Sequence, residues 1–176
     1  CGFSLVEDGL VIDLSAMNDV VFDPGSTTAT VGPGCGWRDV DLATYVDVTV
    51  PGEAGRPSGY AGPGGDCPTV SNAGYSLGGG YGLLGRRFGL CCDHILEAEM
   101  VDAEGRVLRA SDQENPDLFW ALRGAGGAGF GVVTRLRYRL DVVPKTVMGG
   151  VLMWPLEHAA AVFRAYRDLY VGQDDD

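Results

Sequence analysis

The stretch GGDCPTVSNAGYSLGGGYG, Gly64 to Gly82, places seven glycines, one proline and one cysteine in nineteen residues. Glycine loses more backbone freedom on folding than any other residue and weakens helix and strand interiors alike. Such a run cannot be an ordinary helix or strand. Its backbone must turn tightly, or must lie so close to something that side chains would be in the way.

Glycine is abundant throughout: 28 of 176 residues, about 16% against roughly 7% in average usage. No collagen-like period accompanies it, so it marks loops and close backbone approaches. Hydrophobic residues make up 45% of the chain and charged residues 21%, as in a soluble globular protein with a proper core. A net charge of −11 argues against a general nucleic-acid or anionic-membrane surface. No apolar run reaches the roughly 18 residues of a membrane span. Five cysteines do not make an even disulfide framework, and the compartment stays open, cytoplasmic or secreted. Cys1 is not an initiator methionine, so the chain reads as an internal portion of a longer protein.

Along the chain, Gly9 to Ser15 reads as a strand and Ala29 to Gly34 as a second one. Gly36 to Val46 reads as a short helix burying Trp37, Val40 and Tyr45. Val48 to Pro51 is expected to be extended, and Gly52 to Gly65 to be a loop. Leu96 to Ala110 reads as strand, turn at Ala103 to Arg106, and strand. In NPDLFWALRG, Asn115 is the expected cap, Pro116 suits the first helical position and Gly124 the stop. From Val132 to Leu140 the alternation puts Val132, Leu136, Tyr138 and Leu140 on one face. Val133, Arg135, Arg137 and Arg139 take the other, which reads as solvated. Thr146 to Trp154 reads as a strand and Pro155 to Tyr170 as an amphipathic helix. Hairpins with separate helices indicate an α+β fold rather than a βαβ series.

Several candidate chemistries are weak. GAGGAG, Gly124 to Gly129, matches G-x-G-x-x-G, but a helix precedes it and a strand follows, the reverse of a dinucleotide-binding turn. CCDH, Cys91 to His94, cannot point four consecutive side chains at one tetrahedral metal, and no second ligand pair has zinc-like spacing. Cys91 and Cys92 read as small buried hydrophobes. His94 reads as a surface or hydrogen-bonded histidine rather than a base, and His158 has no carboxylate motif around it. No G-x-S-x-G nucleophile motif is present. Cys67 differs, because flanking glycines would leave its sulfur reachable. A reachable thiol matters chemically when it can become a thiolate.

The segments GDCPTV, LGGGYGLLGRRFGLCCDHIL, AEMVDAEGRVLRAS and NPDLFWALRGAGGAGFGVVT, in this order and spacing, resemble the berberine-bridge-enzyme-like FAD-linked oxidases of the vanillyl-alcohol-oxidase superfamily. The resemblance runs from about Gly2 to about Tyr170. It implies the second lobe of a PCMH-type FAD-binding domain over residues 1–143, a mixed or antiparallel sheet with flanking helices. Residues 144–176 would open a substrate domain with its first strand and helix. The N-terminal lobe, with a second covalent histidyl link, would precede Cys1, and the catalytic base would follow Asp176.

The resemblance also implies site residues. Cys67 would bond through sulfur to C6 of the flavin, with Asp66 beside it. Val70 matches the position that gates O2. Ser71, Asn72, Ala73, Gly74 and Tyr75 would run along the flavin ring and ribityl chain, with Tyr81 in the turn that follows. Ala128 and Val133 would approach the far end of the cofactor. Three positions depart from the pattern: Ser71 stands where glycine is usual, Asn72 where a small or apolar residue is usual, and Gly129 where asparagine is usual. The implied activity is an FAD-dependent oxidase. It would take a hydride from an alcohol, sugar or secondary-metabolite C–H bond and pass electrons to O2, giving hydrogen peroxide. A non-catalytic flavin-fold module, or a dehydrogenase with another acceptor, are the alternatives.

Overall fold

The computed structural model describes residues 6–45, 58–126, 129–144 and 149–170. Its centre is a five-stranded antiparallel sheet in the order β1-β2-β6-β4-β5. The strands are β1 (Val20–Asp23), β2 (Thr28–Val31), β4 (Ile95–Val101), β5 (Val107–Ser111) and β6 (Val132–Arg139). A two-stranded ribbon pairs β3 (Ser58–Ala61) with β7 (Asp141–Pro144). The helices are α1 (Trp37–Thr44), α2 (Asn72–Leu77), α3 (Gly85–Phe88), α4 (Pro116–Ala125) and α5 (Ala159–Tyr170). The α+β class expected from the sequence is the observed one.

The β4–β5 hairpin follows from its local sequence. Asp102 Oδ1 accepts from the backbone amides of Glu104 and Arg106, and Gly105 takes φ +77°. That is Asx-turn chemistry with glycine at the position needing positive φ. β6 lies between β2 and β4, so it is the central strand of the sheet. Its alternation is broken by a bulge: Val133 pairs Met100 and Arg135 pairs Glu99, leaving Thr134 as the extra residue. Thr134 Oγ1 donates to Glu99 O at 3.2 Å. The bulge corrects the face assignment for Val133, which is buried on the same side as Leu136 and Tyr138 rather than beside the arginines. Arg135 stays exposed, 3.5 Å from Asp19.

One face of this sheet carries the core. Trp37, Tyr138, Phe119, Ile95, Met100, Leu122 and Leu136 are essentially fully buried, each worth about 1.5–3 kcal/mol of apolar burial. Trp37 meets Tyr138 with ring centroids 5.7 Å apart and Tyr75 edge-on at 5.8 Å.

Other expectations are corrected. Residues 9–15 form no strand, because no neighbouring strand pairs with them, and Leu10, Val11 and Ile12 stay exposed. β3 occupies part of the expected Gly52 to Gly65 loop. α1 ends at Thr44, and Tyr45 is half-exposed, its ring lying over Gly59, where a Cβ would come within 2.7 Å of it. Asn115 does not cap α4 with its side chain; it takes φ 49°, ψ 54°, and its Nδ2 donates to Arg109 O at 2.6 Å. The helix stop expected at Gly124 is observed: at φ +127° α4 loses helical geometry there. Val48 to Pro51 lies outside the described residues.

The chain divides into two compact units, residues 1–145 and 146–176. In the second unit, residues 149–154 form no strand. Among the described residues of that unit nothing pairs with them, and a strand exists only through its ladder. α5 follows a short turn at Leu156–His158 and keeps Phe163, Tyr166 and Leu169 exposed.

Candidate functional site: a glycine-walled cavity

The first unit holds an open cavity of about 950 Å³, near the top of the roughly 300–1,000 Å³ range of small-molecule and cofactor sites. One wall is Leu10 to Ser15 with Pro33 and Gly34. The other is Ser71, Ala73, Gly74 and Leu77, with Gly129 and Gly131 to Val133. The apolar residues of 10–15, unpaired as a strand, serve here as lining.

The glycines on these walls divide into two kinds. At Gly34 a Cβ would fall 2.6 Å from Leu14 O and 2.7 Å from Ser15 O. At Gly131, φ +154°, a Cβ would collide with Met100 Cε and Val101 O. These two are required by close backbone packing. At Gly74 and Gly129 a Cβ would meet nothing within 4 Å, though at Gly129 the φ of +78° itself favours glycine. Their bareness leaves space at lining positions.

The two walls are joined from beneath. Ser71 Oγ donates to Pro33 O at 3.0 Å. The Asn72 amide donates to Cys35 O at 3.0 Å. Trp37 N donates to Val70 O and Arg38 N to Pro68 O, at 3.1 and 3.0 Å. The segment Cys67–Gly74 is thereby laid along the start of α1.

Cys67 sits on an exposed turn closed by Val70 N donating to Cys67 O at 3.2 Å. Thr69 Oγ1 lies 3.5 Å from its sulfur. Hydrogen bonds from the Thr69 side chain and backbone hold the thiol below the usual cysteine range. The buried cysteines differ: burial pushes Cys91 up to about 12 and also raises Cys35 and Cys92. Cys67 is therefore the described cysteine most available as a nucleophile.

The structure brings Ser71, Ala73, Gly74 and Val133 together on the cavity. Asp66, Cys67 and Val70 lie exposed on the adjoining turn and are not part of the lining. Asn72 is fully buried, with its side chain bonded inward to Gly32 O and Cys35 O, and is not part of the lining. Tyr75 packs edge-on against Trp37 and close to Gly65 and Gly80, and its phenol is pushed up to about 12 by burial. Tyr81 is exposed and off the lining. Ala128 lies outside the described residues. Sequence reasoning missed Leu10 to Ser15 and Pro33–Gly34 as wall residues. The signal for the second pair was the Gly-Pro-Gly at the end of β2.

Of the two readings of His94, surface or hydrogen-bonded, the structure shows the hydrogen-bonded one, fully buried. Its Nε2 is 2.9 Å from Phe88 O, and its Nδ1 is 3.2 Å from Asp141 Oδ2. Among the described residues no cluster of three His, Cys, Asp or Glu side chains could hold a metal ion. No described helix is long and apolar enough to cross a membrane.

A large, flat, polar-and-apolar cofactor such as FAD fits these walls. The lining is apolar at Leu10, Val11, Ile12, Leu14 and Leu77, and polar at Asp13 and Ser15. Backbone is bared at Gly74 and Gly129, and a reachable thiol lies four residues from the rim residue Ser71.

The FAD binding domain family model matches residues 1–111. The chain is 39% identical over 164 residues to the uncharacterized FAD-linked oxidoreductase YvdP of Bacillus subtilis, covering 93% of this chain and 34% of that protein. It is 37% identical over 161 residues to xylooligosaccharide oxidase of Thermothelomyces thermophilus, covering 91% and 30% respectively. The crystal structure of 6-hydroxy-D-nicotine oxidase from Arthrobacter nicotinovorans superposes with a TM-score of 0.80 at 33% identity, over 95% of this chain and 35% of that one. The chain spans about a third of the length of the curated relatives it matches. Family match, relatives and fold agree, and the chain belongs to the FAD-binding-domain family, among the berberine-bridge-enzyme-like FAD-linked oxidoreductases of the vanillyl-alcohol-oxidase superfamily.

Proposed function

We propose that the protein is an FAD-dependent oxidase of a small hydroxylated or amine-bearing molecule, with O2 as electron acceptor. The observation that carries this is the cavity of about 950 Å³ walled by Gly34, Gly74, Gly129 and Gly131. Relatives that act on xylooligosaccharides and on 6-hydroxynicotine set the breadth of the substrate class. Bound in the cavity, FAD would supply two-electron acceptance from a substrate C–H bond, chemistry no protein side chain offers.

The residues of this chain have separable tasks. Ser71, Ala73 and Gly74 on one wall, with Val133 on the same lining, hold the cofactor. Cys67 ties it covalently through sulfur, aided by the Thr69 hydroxyl that favours the thiolate. Val70, half-exposed beside Ser71, governs O2 access. Asp66, Tyr75 and Tyr81 belong to the same loop system and shape its outer edge. Residues 1–143 form the cofactor-binding part, and residues 144–176 begin a substrate-binding part.

The test is direct. Protein purified from its host should carry a yellow chromophore absorbing near 450 nm, in the range of a bound flavin, and should retain it through denaturation. Sugars, alcohols and hydroxylated amines are then screened for bleaching under anaerobic conditions and for peroxide in air. A colourless protein that takes up no FAD would overturn the proposal. So would a flavoprotein bleached by substrate that yields no peroxide in air, which would instead be a dehydrogenase.

A further inference from the structure

We infer that Asn72 is a positioning residue: with the hydroxyl of Tyr138 behind it, its buried carboxamide sets the separation of the two cavity walls. This rests on the FAD reading for its consequence, though not for its geometry.

Asn72 is 0% exposed. Its Nδ2 donates both protons, to Gly32 O and to Cys35 O, each at 2.9 Å. Those two carbonyls bracket Pro33 and Gly34, the wall residues on that side. The Asn72 backbone, meanwhile, lies between Ser71 and Ala73, wall residues on the other side. One carboxamide therefore spans both walls.

Its oxygen is held in turn. Tyr138, fully buried on the central strand β6, directs its single hydroxyl proton between Asn72 Oδ1 at 3.0 Å and Ser76 Oγ at 2.9 Å. Ser76 Oγ donates to Asn72 O at 2.6 Å and lies 3.2 Å from Cys91 Sγ. Burial raises the Tyr138 phenol well above the ordinary tyrosine range, so it remains a proton donor at any working pH. The carboxamide has both protons placed and its oxygen occupied. It cannot rotate without stranding a buried polar group. A fully satisfied buried network of this kind fixes one arrangement, whereas an apolar side chain at position 72 would let the walls slide.

A simple core-stabilising role makes a different forecast, and the experiment separates the two. Asn72→Leu and Tyr138→Phe are made in the full-length protein carrying Cys67→Ala, with the histidine of the second flavin link also replaced by Ala, so that FAD binding is reversible. FAD affinity is read by fluorescence quenching. Amide exchange is followed by mass spectrometry on the flavin-free form at residues 32–36 and 71–74, with 95–101 as internal reference. Asn72→Leu should speed exchange in both wall segments while leaving 95–101 unchanged, and should weaken FAD by about tenfold, the loss of one to two net hydrogen bonds. Tyr138→Phe, which removes one atom, should do the same by about threefold, and it decides the matter if Asn72→Leu does not fold. A uniform rise in exchange, or FAD affinity within a factor of about 1.5 of the parent in the deciding variant, overturns the inference. If the parent lacking both links binds no FAD at all, the cofactor reading fails, and wall positioning is then decided by the exchange data alone.

Discussion

His94 and Asp141 meet 3.2 Å apart, Nδ1 to Oδ2, with the imidazole fully buried at the corner where β6 passes into β7. The other ring nitrogen lies 2.9 Å from Phe88 O at the end of α3, and Arg139 O is 3.4 Å from Nδ1. Nε2 also lies 3.4 Å from the Arg139 guanidinium, so one side chain gathers the arginine-bearing α3 turn, the end of β6 and the ribbon. Removing it leaves Phe88 O without its hydrogen-bond partner. His94→Leu should therefore cost roughly 1–3 kcal/mol for the stranded carbonyl. Urea unfolding measures this, and a loss under about 0.5 kcal/mol would show that the ring is filler.

The wall glycines should respond in opposite directions. Gly34→Ala forces a Cβ against two backbone oxygens that cannot move aside, and should destabilise by about 1–3 kcal/mol, as overpacking does. Gly74→Ala sits in α2 with open space around it, and should gain up to about 1 kcal/mol from helix propensity. The same methyl group occupies cofactor space, so Gly74→Ala should bind FAD more weakly while melting no lower. Melts and FAD titrations of the pair decide it; parallel changes in both variants would contradict this division.

Thiol reactivity should rank by environment. In flavin-free protein at pH 7.5, iodoacetamide should label Cys67 first among Cys35, Cys67, Cys91 and Cys92. Cys91 should react only on unfolding. The sign follows from the shift: a lowered pKa means more thiolate at a given pH, so the Cys67 rate should level off at lower pH than that of an ordinary thiol. Thr69→Val should move that plateau upward. Peptide mapping by mass spectrometry reads the order, and an unchanged pH profile in Thr69→Val would remove the hydroxyl from the account. In holoprotein, Cys67 should be unreactive because its sulfur is engaged.

Val70→Leu tests the acceptor. One added methylene can close a passage no wider than O2 where side chains are close-packed. Reoxidation of the reduced holoenzyme by O2 should slow by tenfold or more, about 1.4 kcal/mol of barrier, with reduction by substrate little changed. Stopped-flow measurement of the two half-reactions separates them, and equal slowing of both would argue against a gate at this position.

Local sequence was enough for some of this protein. The Asp102–Gly105 turn, the Pro116 helix start and the Gly124 break are written within a few residues, because turn and cap chemistry acts at that range. The glycine spacing around Cys67 marked the loop that carries the site. Other features waited on tertiary pairing. Gly9 to Ser15 carries the apolar run of a strand, yet no partner edge reaches it, so it lines a cavity instead. Val133 changed faces because the Thr134 bulge depends on the register against Glu99, thirty-five residues earlier. Asn72 could not be placed by its neighbours in sequence, since its partners lie on Gly32, Cys35 and Tyr138. Backbone preference is local, but a ladder partner, a bulge or a buried hydrogen bond is decided only when distant segments meet, and the cavity walls are built from just those meetings.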